Sequence, residues 1–202
     1  MIVNDDNRTI DVSRELNKLN DYSLEIGIFG EDDSFVAMLA DVHEFGVTIK
    51  PRGRFLTIPL KKKYRNKKPR DFDLFFMQTK EGHKFLVKNV GKDKIEFAYM
   101  LAEQVVIPER SFVRSTFDEK EKSWSDFFDK QVQNIIIGKM TAEEVYSLLG
   151  NKVVTDIQRQ IRNMSNPKNA PSTVSSKGHN NPLFDTGRLR QSVTWKVVRS
   201  SG

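Results

Sequence analysis

The chain has 202 residues, 38% of them hydrophobic and 10% aromatic, which is enough to bury a core and argues against wholesale disorder. It has no cysteine, which excludes disulfides, thiol catalysis and cysteine-based zinc sites. The net charge of +6 is unevenly spread: −8 over residues 1–49, +10 over 50–70, −3 over 71–151 and +7 over 152–202. Such asymmetry fits either a polyanionic partner or complementary contacts between protein surfaces.

In chain order, Ile10, Val12, Leu16 and Leu19 suit a short first helix closed by Asn20 and Asp21. Tyr22–Phe29 alternates, with Tyr22, Leu24, Ile26 and Ile28 on one face, as in a half-buried strand. A turn follows, and Ser34 is read as the cap of a helix carrying Phe35, Val36, Leu39 and Val42 into His43-Glu44-Phe45-Gly46. From residue 50 the texture changes. Strands are expected at Phe55–Pro59, Phe72–Thr79 and Lys84–Val90. Lys94–Ile107 is ambiguous between helix and strand, and strand is preferred for its Val105-Val106-Ile107. Between them, Lys61–Arg70 reads as a loop too charged and too poor in apolar residues to pack. Residues 50–107 thus form a small basic β-rich module inserted into a core domain of 1–49 and 108–202.

Ile107-Pro108-Glu109-Arg110-Ser111-Phe112-Val113-Arg114 turns a strand into a long helix reaching about Ile137, with Ser111 as its N-cap and Gly138 as its stop. Phe112, Phe117 and Trp124 are expected on its inner face, with Arg110 and Arg114 left for a neighbour. A second long helix is capped by Thr141, and its Gly150 marks a kink or a close approach. Residues 165–181 read as a flexible arm of the core domain. Asp185-Thr186-Gly187-Arg188-Leu189-Arg190 leads to a last strand with Val193, Trp195 and Val197 on one face. The fold class is α+β: an antiparallel sheet packed against two long helices, with the β-rich insert.

Chemical motifs are sparse. His43-Glu44 lacks the second histidine of a zinc-protease helix, and Gly27-Ile28-Phe29-Gly30 lacks the rest of a phosphate loop. Asp185-Thr186-Gly187 occurs once, whereas aspartic proteases need two carboxylates sharing a proton. The reading is non-enzymatic, with no cofactor and no metal. No apolar run approaches the 18 residues of a membrane span, so the expectation is a soluble chain made in the cytoplasm.

The ordered set of Leu24–Ile28, His43–Gly46, Ile107–Arg114 opening a long helix, a second helix, a Pro/Ser/Lys-rich stretch and Pro182–Leu189 before a Trp-containing strand resembles the Mu-type virion morphogenesis, or tail-completion, proteins of tailed bacteriophages. It also resembles the related minor head-tail-joining proteins. The family often has Pro where Ser111 stands and a shorter connection in place of 50–107, so the module's role is not implied. The resemblance implies a structural protein of the virion neck, assembled in the host cytoplasm. It implies a ring, a hexamer in the family, between head-closure or connector proteins and tail-terminator or tail-tube proteins, with no membrane partner. Interface candidates are Arg110, Phe112, Arg114, Asp185, Thr186, Gly187, Arg188, Leu189 and Arg190. His43, Glu44, Phe45 and Gly46 form a helix-end motif. For Phe112 the core, for Gly187 a turn and for His43–Gly46 a bare helix end stay open as simpler roles. Lys61, Lys62, Lys63, Tyr64, Arg65, Lys67, Lys68 and Arg70 are candidates for contact with DNA or an acidic partner, because basic residues around an aromatic can follow a nucleic-acid backbone. A nucleic-acid-binding module is the alternative function.

Overall fold

The computed structural model describes residues 11–171, 173–174 and 178–199, so Ile10 of the expected first helix and residues 172 and 175–177 of the expected arm lie outside the described residues. The chain is α+β. Its elements are α1 (Val12–Asp21), β1 (Tyr22–Gly27), α2 (Ser34–Phe45), β2 (Val47–Ile49), β3 (Leu56–Pro59), β4 (Phe75–Gln78), β5 (Lys84–Gly91), β6 (Lys94–Ala102), β7 (Val105–Ile107), α3 (Arg114–Ile136), α4 (Ala142–Asn163), α5 (Arg188–Gln191) and β8 (Thr194–Arg199). Contacts divide the chain into two units. The first comprises Met1–Glu44, Ser111–Met164 and Leu183–Gly202; the second comprises Phe45–Arg110 and Ser165–Pro182. The segment read as an arm of the core domain therefore groups with the second unit.

In the first unit, β1 and β8 form an antiparallel pair running from Tyr22 opposite Arg199 to Gly27 opposite Thr194. The long helix α4 lies on this pair and α3 packs on α4. Their shared core holds Val36, Phe112, Trp124, Val153, Ile157, Ile161, Leu183, Leu189 and Val193. Each such aliphatic side chain, once fully buried, stabilises by about 1.5–3 kcal/mol. The 3.6-residue spacing of Val153, Ile157 and Ile161 is what presents them along one face of α4. The expected inner face of α3 is narrower than its sequence suggests: Phe117 is 50% exposed and meets Trp124 edge-on, at 6.1 Å between ring centroids. Phe117 directly follows the buried Thr116, and the roughly 100° between successive helix residues turns it outward. Trp124 itself needs a partner for its indole N–H, and donates it to Asp156 at 2.9 Å; Lys152 and Arg159 flank that carboxylate at 3.3 and 3.2 Å.

Gly150 explains how closely α4 approaches the sheet. A Cβ at this position would lie 2.5 Å from the Trp195 ring of β8. The indole N–H of Trp195 donates to Asn151 Oδ1 at 3.0 Å, which fixes the ring across the missing side chain. At the other end of the unit, a smaller core joins Ile135, Ala142 and Val145 to Leu16 and Leu19 of α1. The Tyr146 hydroxyl lies 2.8 Å from the Leu19 carbonyl and 3.0 Å from that of Tyr22, at the junction of α1 and β1.

The second unit is built on a four-stranded antiparallel sheet in the order β3-β6-β5-β4. Lys94–Ile107, expected as one strand, is two. β6 pairs with β3 and β5, while β7 turns away to pair with β2, placing Val47 opposite Ile107 and Ile49 opposite Val105. The polar Glu103-Gln104 falls at the break.

Helix propensity alone favours alanine over glycine inside α4 by about 1 kcal/mol. The clash with Trp195 outweighs it, so Gly150→Ala should lower stability by about 1–3 kcal/mol. A thermal melt in which the variant equals or exceeds the parent would refute this packing.

Candidate functional site

Glu44, in the last turn of α2, is 6% exposed although it is charged. Its carboxylate sits against the start of α3. Oε2 accepts from the backbone N–H groups of Phe112 at 2.8 Å and Val113 at 3.0 Å. Oε1 accepts from the Ser111 hydroxyl at 2.7 Å, the Arg114 N–H at 2.9 Å and Arg114 Nε at 3.2 Å. Arg114 Nη2 also donates to the Glu44 carbonyl at 2.8 Å. The first N–H groups of a helix lack intrahelical partners and carry the positive end of its dipole, so an anion is the natural cap. Burial by itself raises the carboxyl pKa, but the bonds from Val113, Arg114, Ser111 and Phe112 outweigh it and hold the group below its ordinary range.

The two motifs His43–Gly46 and Ile107–Arg114 thus meet through Glu44. Ser111 is not the sole cap: its hydroxyl accepts only from Ser115 N–H, at 3.3 Å, and the helix proper starts at Arg114. Likewise α2 is capped by Asp33, which accepts from Val36 N–H at 3.1 Å, and not by Ser34. In the second unit, Gly46 has φ +68°, and a Cβ there would fall 2.7 Å from Glu109 N and 3.0 Å from Ile107 O. Both the left-handed backbone and the close approach require glycine.

Four residues expected at an interface, Arg110, Phe112, Gly187 and Leu189, are buried. Arg110 is 5% exposed, with Nε donating to Pro167 O at 2.9 Å and Nη2 to Lys168 O at 3.1 Å. A guanidinium fork that matches two carbonyls is held inward, and it ties Ser165–Pro182 to the second unit. Phe112, at 1%, and Leu189, at 6%, lie in the shared core of the first unit, where their apolar surface is removed from water. Gly187 is buried at the turn into α5 with φ +84°. Arg114 is half-exposed and held by Glu44. Asp185, Thr186 and Arg188 are exposed, Arg190 is partly so, and Arg188 pairs with Asp33.

The Lys61–Arg70 loop also differs from expectation. It packs, because Tyr64 turns inward and is 1% exposed. Tyr64 meets Phe72 edge-on at 5.0 Å and Tyr99 at 5.4 Å, and its hydroxyl donates to Glu96 of β6. Lys61 and Lys63 close on the same carboxylate at 2.7 and 2.6 Å. The Tyr99 hydroxyl lies 3.3 Å from the Tyr64 carbonyl and 3.2 Å from that of Lys67. Two 3-10 turns, Lys62–Tyr64 and Pro69–Asp71, complete the loop. The hydrogen bonds from Lys61, Lys63 and Tyr64 lower the Glu96 carboxyl to a pKa of about 2. Glu96 was missed in the sequence because nothing local distinguishes it; its partners are more than thirty positions away.

Among the described residues no group of three or more His, Asp or Glu side chains is placed to hold a metal ion, and no helix is long and apolar enough to cross a membrane. Comparison with family models, with curated proteins and with solved structures gave no match.

Removing the Glu44 carboxylate leaves several donors buried at the start of α3. Glu44→Ala should cost about 2–4 kcal/mol and Glu44→Gln, which keeps one acceptor oxygen, roughly half as much. Chemical denaturation of the three proteins checks the order; equal stability of Glu44→Ala and the parent would refute the capping role.

A second outcome concerns acid. The Glu96 pKa is lower in the folded chain than the ordinary 4.5, so its stabilisation is complete above that value and is lost as pH falls toward about 2. Melting midpoints should drop over this window, and Glu96→Gln should be less stable at pH 7 and show a shallower acid decline. A parallel decline in both would remove Glu96 from the account.

Proposed function

We propose that the chain is a non-enzymatic structural protein of a tailed bacteriophage virion, a neck or tail-completion protein that joins the tail to the head connector as a ring. The observation that carries this reading is the meeting of the resembling motifs in one arrangement. Glu44 of His43–Gly46 caps the helix opened by Ile107–Arg114, and Leu189 of the Pro182–Leu189 motif shares a core with Phe112. Motifs matched by chance along a chain have no reason to support one another in space.

The surface of the first unit suits repeated contact between copies. Phe35 and Met38, three residues apart on α2, are 57% and 52% exposed. Residues at this spacing share a helix face, and an apolar pair on it is matter for a partner to cover. Asp185, Thr186, Arg188 and Arg190 are the interface candidates that remain at the surface beside Arg114. A ring needs one head-to-tail contact repeated about an axis, in which complementary charge sets the register. The expected neighbours are connector or head-closure proteins on one side and tail-terminator or tail-tube proteins on the other.

Immunogold electron microscopy of tailed particles assembled with a tagged copy of this chain tests the proposal. Gold should concentrate at the head-tail junction. Label on the capsid shell or tail tip, or particles that join heads to tails normally when the chain is deleted, would refute it.

A further inference from the structure

We infer that the outer side of the Lys61–Arg70 loop is a contact surface for the phosphate backbone of double-stranded nucleic acid. The loop carries seven basic residues and no acidic one. The structure divides them. Lys61 and Lys63 are spent internally on Glu96. Lys62, Lys67, Lys68 and Arg70 are exposed, and among the described residues none of the four forms an ion pair. Arg65, also exposed, lies between them.

The loop is held, which matters for what it can bind. Tyr64 is seated in an aromatic core, Glu96 gathers two lysines and the tyrosine hydroxyl, and Tyr99 reaches the carbonyls of Tyr64 and Lys67. The cations are therefore displayed from a fixed backbone, and less ordering entropy is lost on binding than for a free basic tail.

Two features select the partner. An acidic protein surface would need an apolar or aromatic anchor at the centre of the contact, because rim charges contribute little alone. The loop's one aromatic residue is buried, and its exposed side is cationic and polar. Phosphate contacts need no such anchor. Single-stranded nucleic acid, in turn, is gripped by stacking bases on exposed aromatics. Tyr64, the only ring in the loop, faces the opposite way, so a duplex with its bases already stacked fits better. Asp71, which follows the loop, accepts from Lys68 N–H at 3.0 Å, so its carboxylate is engaged with the backbone of the loop.

The inference does not rest on the neck proposal: it concerns the isolated chain, and either can fail alone. Binding of the full chain to a labelled short DNA duplex is followed by fluorescence anisotropy between 50 and 200 mM salt, with the matching single strand and polyglutamate as competitors. Duplex should bind more tightly than single strand. Four phosphate contacts weaken binding about 100-fold across this salt range. Changing Lys62, Lys67, Lys68 and Arg70 together to Gln should leave the melting midpoint unchanged and lower the log–log salt slope by about 3–4. Absence of duplex binding at 50 mM salt, or an unchanged slope in the variant, would overturn the inference. So would preference for the single strand, or displacement by polyglutamate at equal charge, which would mark an acidic protein as the partner.

Discussion

A single buried carboxylate governs how the first unit is assembled. Glu44 accepts from three successive backbone N–H groups, a hydroxyl and a guanidinium, and so fixes where α3 begins. The position of Phe112 in the core follows from it, since the N–H of that residue is one of the donors. The same device recurs at the other long helix. Glu15 of α1, 7% exposed, accepts from Ala142 N–H at 2.9 Å, while Thr141 and Glu144 form a capping box beside it. Each long helix therefore starts on a carboxylate supplied from a segment far away in sequence. The acidic excess of residues 1–49 is thus only partly a surface property.

Charge in the second unit is handled in the opposite sense. One carboxylate, Glu96, is surrounded by donors and collects part of an excess of cations, leaving the remainder outside. The arrangement converts a run of like charge, which would repel itself into an extended loop, into two short turns with an aromatic anchor. Both units thus use acids as organising points, one for helix ends and one for a basic loop.

Periodicity in the sequence was a good guide to elements and a poor guide to partners. The Val153, Ile157 and Ile161 stripe and the alternation of Tyr22–Ile26 locate α4 and β1, because burial acts on residues at fixed local spacing. Gly150 was legible as a special position, and Trp195 is the reason. Arg110 was misread because charge suggests exposure, whereas carbonyls more than fifty positions away hold it inward. Tyr64 is hard to place from sequence because most of its neighbours are basic, while the acceptor of its hydroxyl, Glu96, lies far away on β6. Phe117 belongs to the apolar pattern of α3 but falls at the edge of the arc that α4 covers. The misreadings of Arg110 and Tyr64 share a cause: pairing across long sequence separations leaves no local trace.

The antiparallel pairing of β2 with β7 has a consequence for how the chain can be rebuilt. Ile49 and Val105 stand opposite each other, so the ends of the intervening stretch are one strand spacing apart, roughly 5 Å. A tight two-residue turn could bridge that gap and close β2 and β7 into a hairpin. Arg110, which holds Pro167 and Lys168, lies outside residues 50–104, the stretch that such a turn would replace. The β-rich insert thus leaves and re-enters the chain at one point, and both Glu44 and the start of α3 that it caps lie outside it.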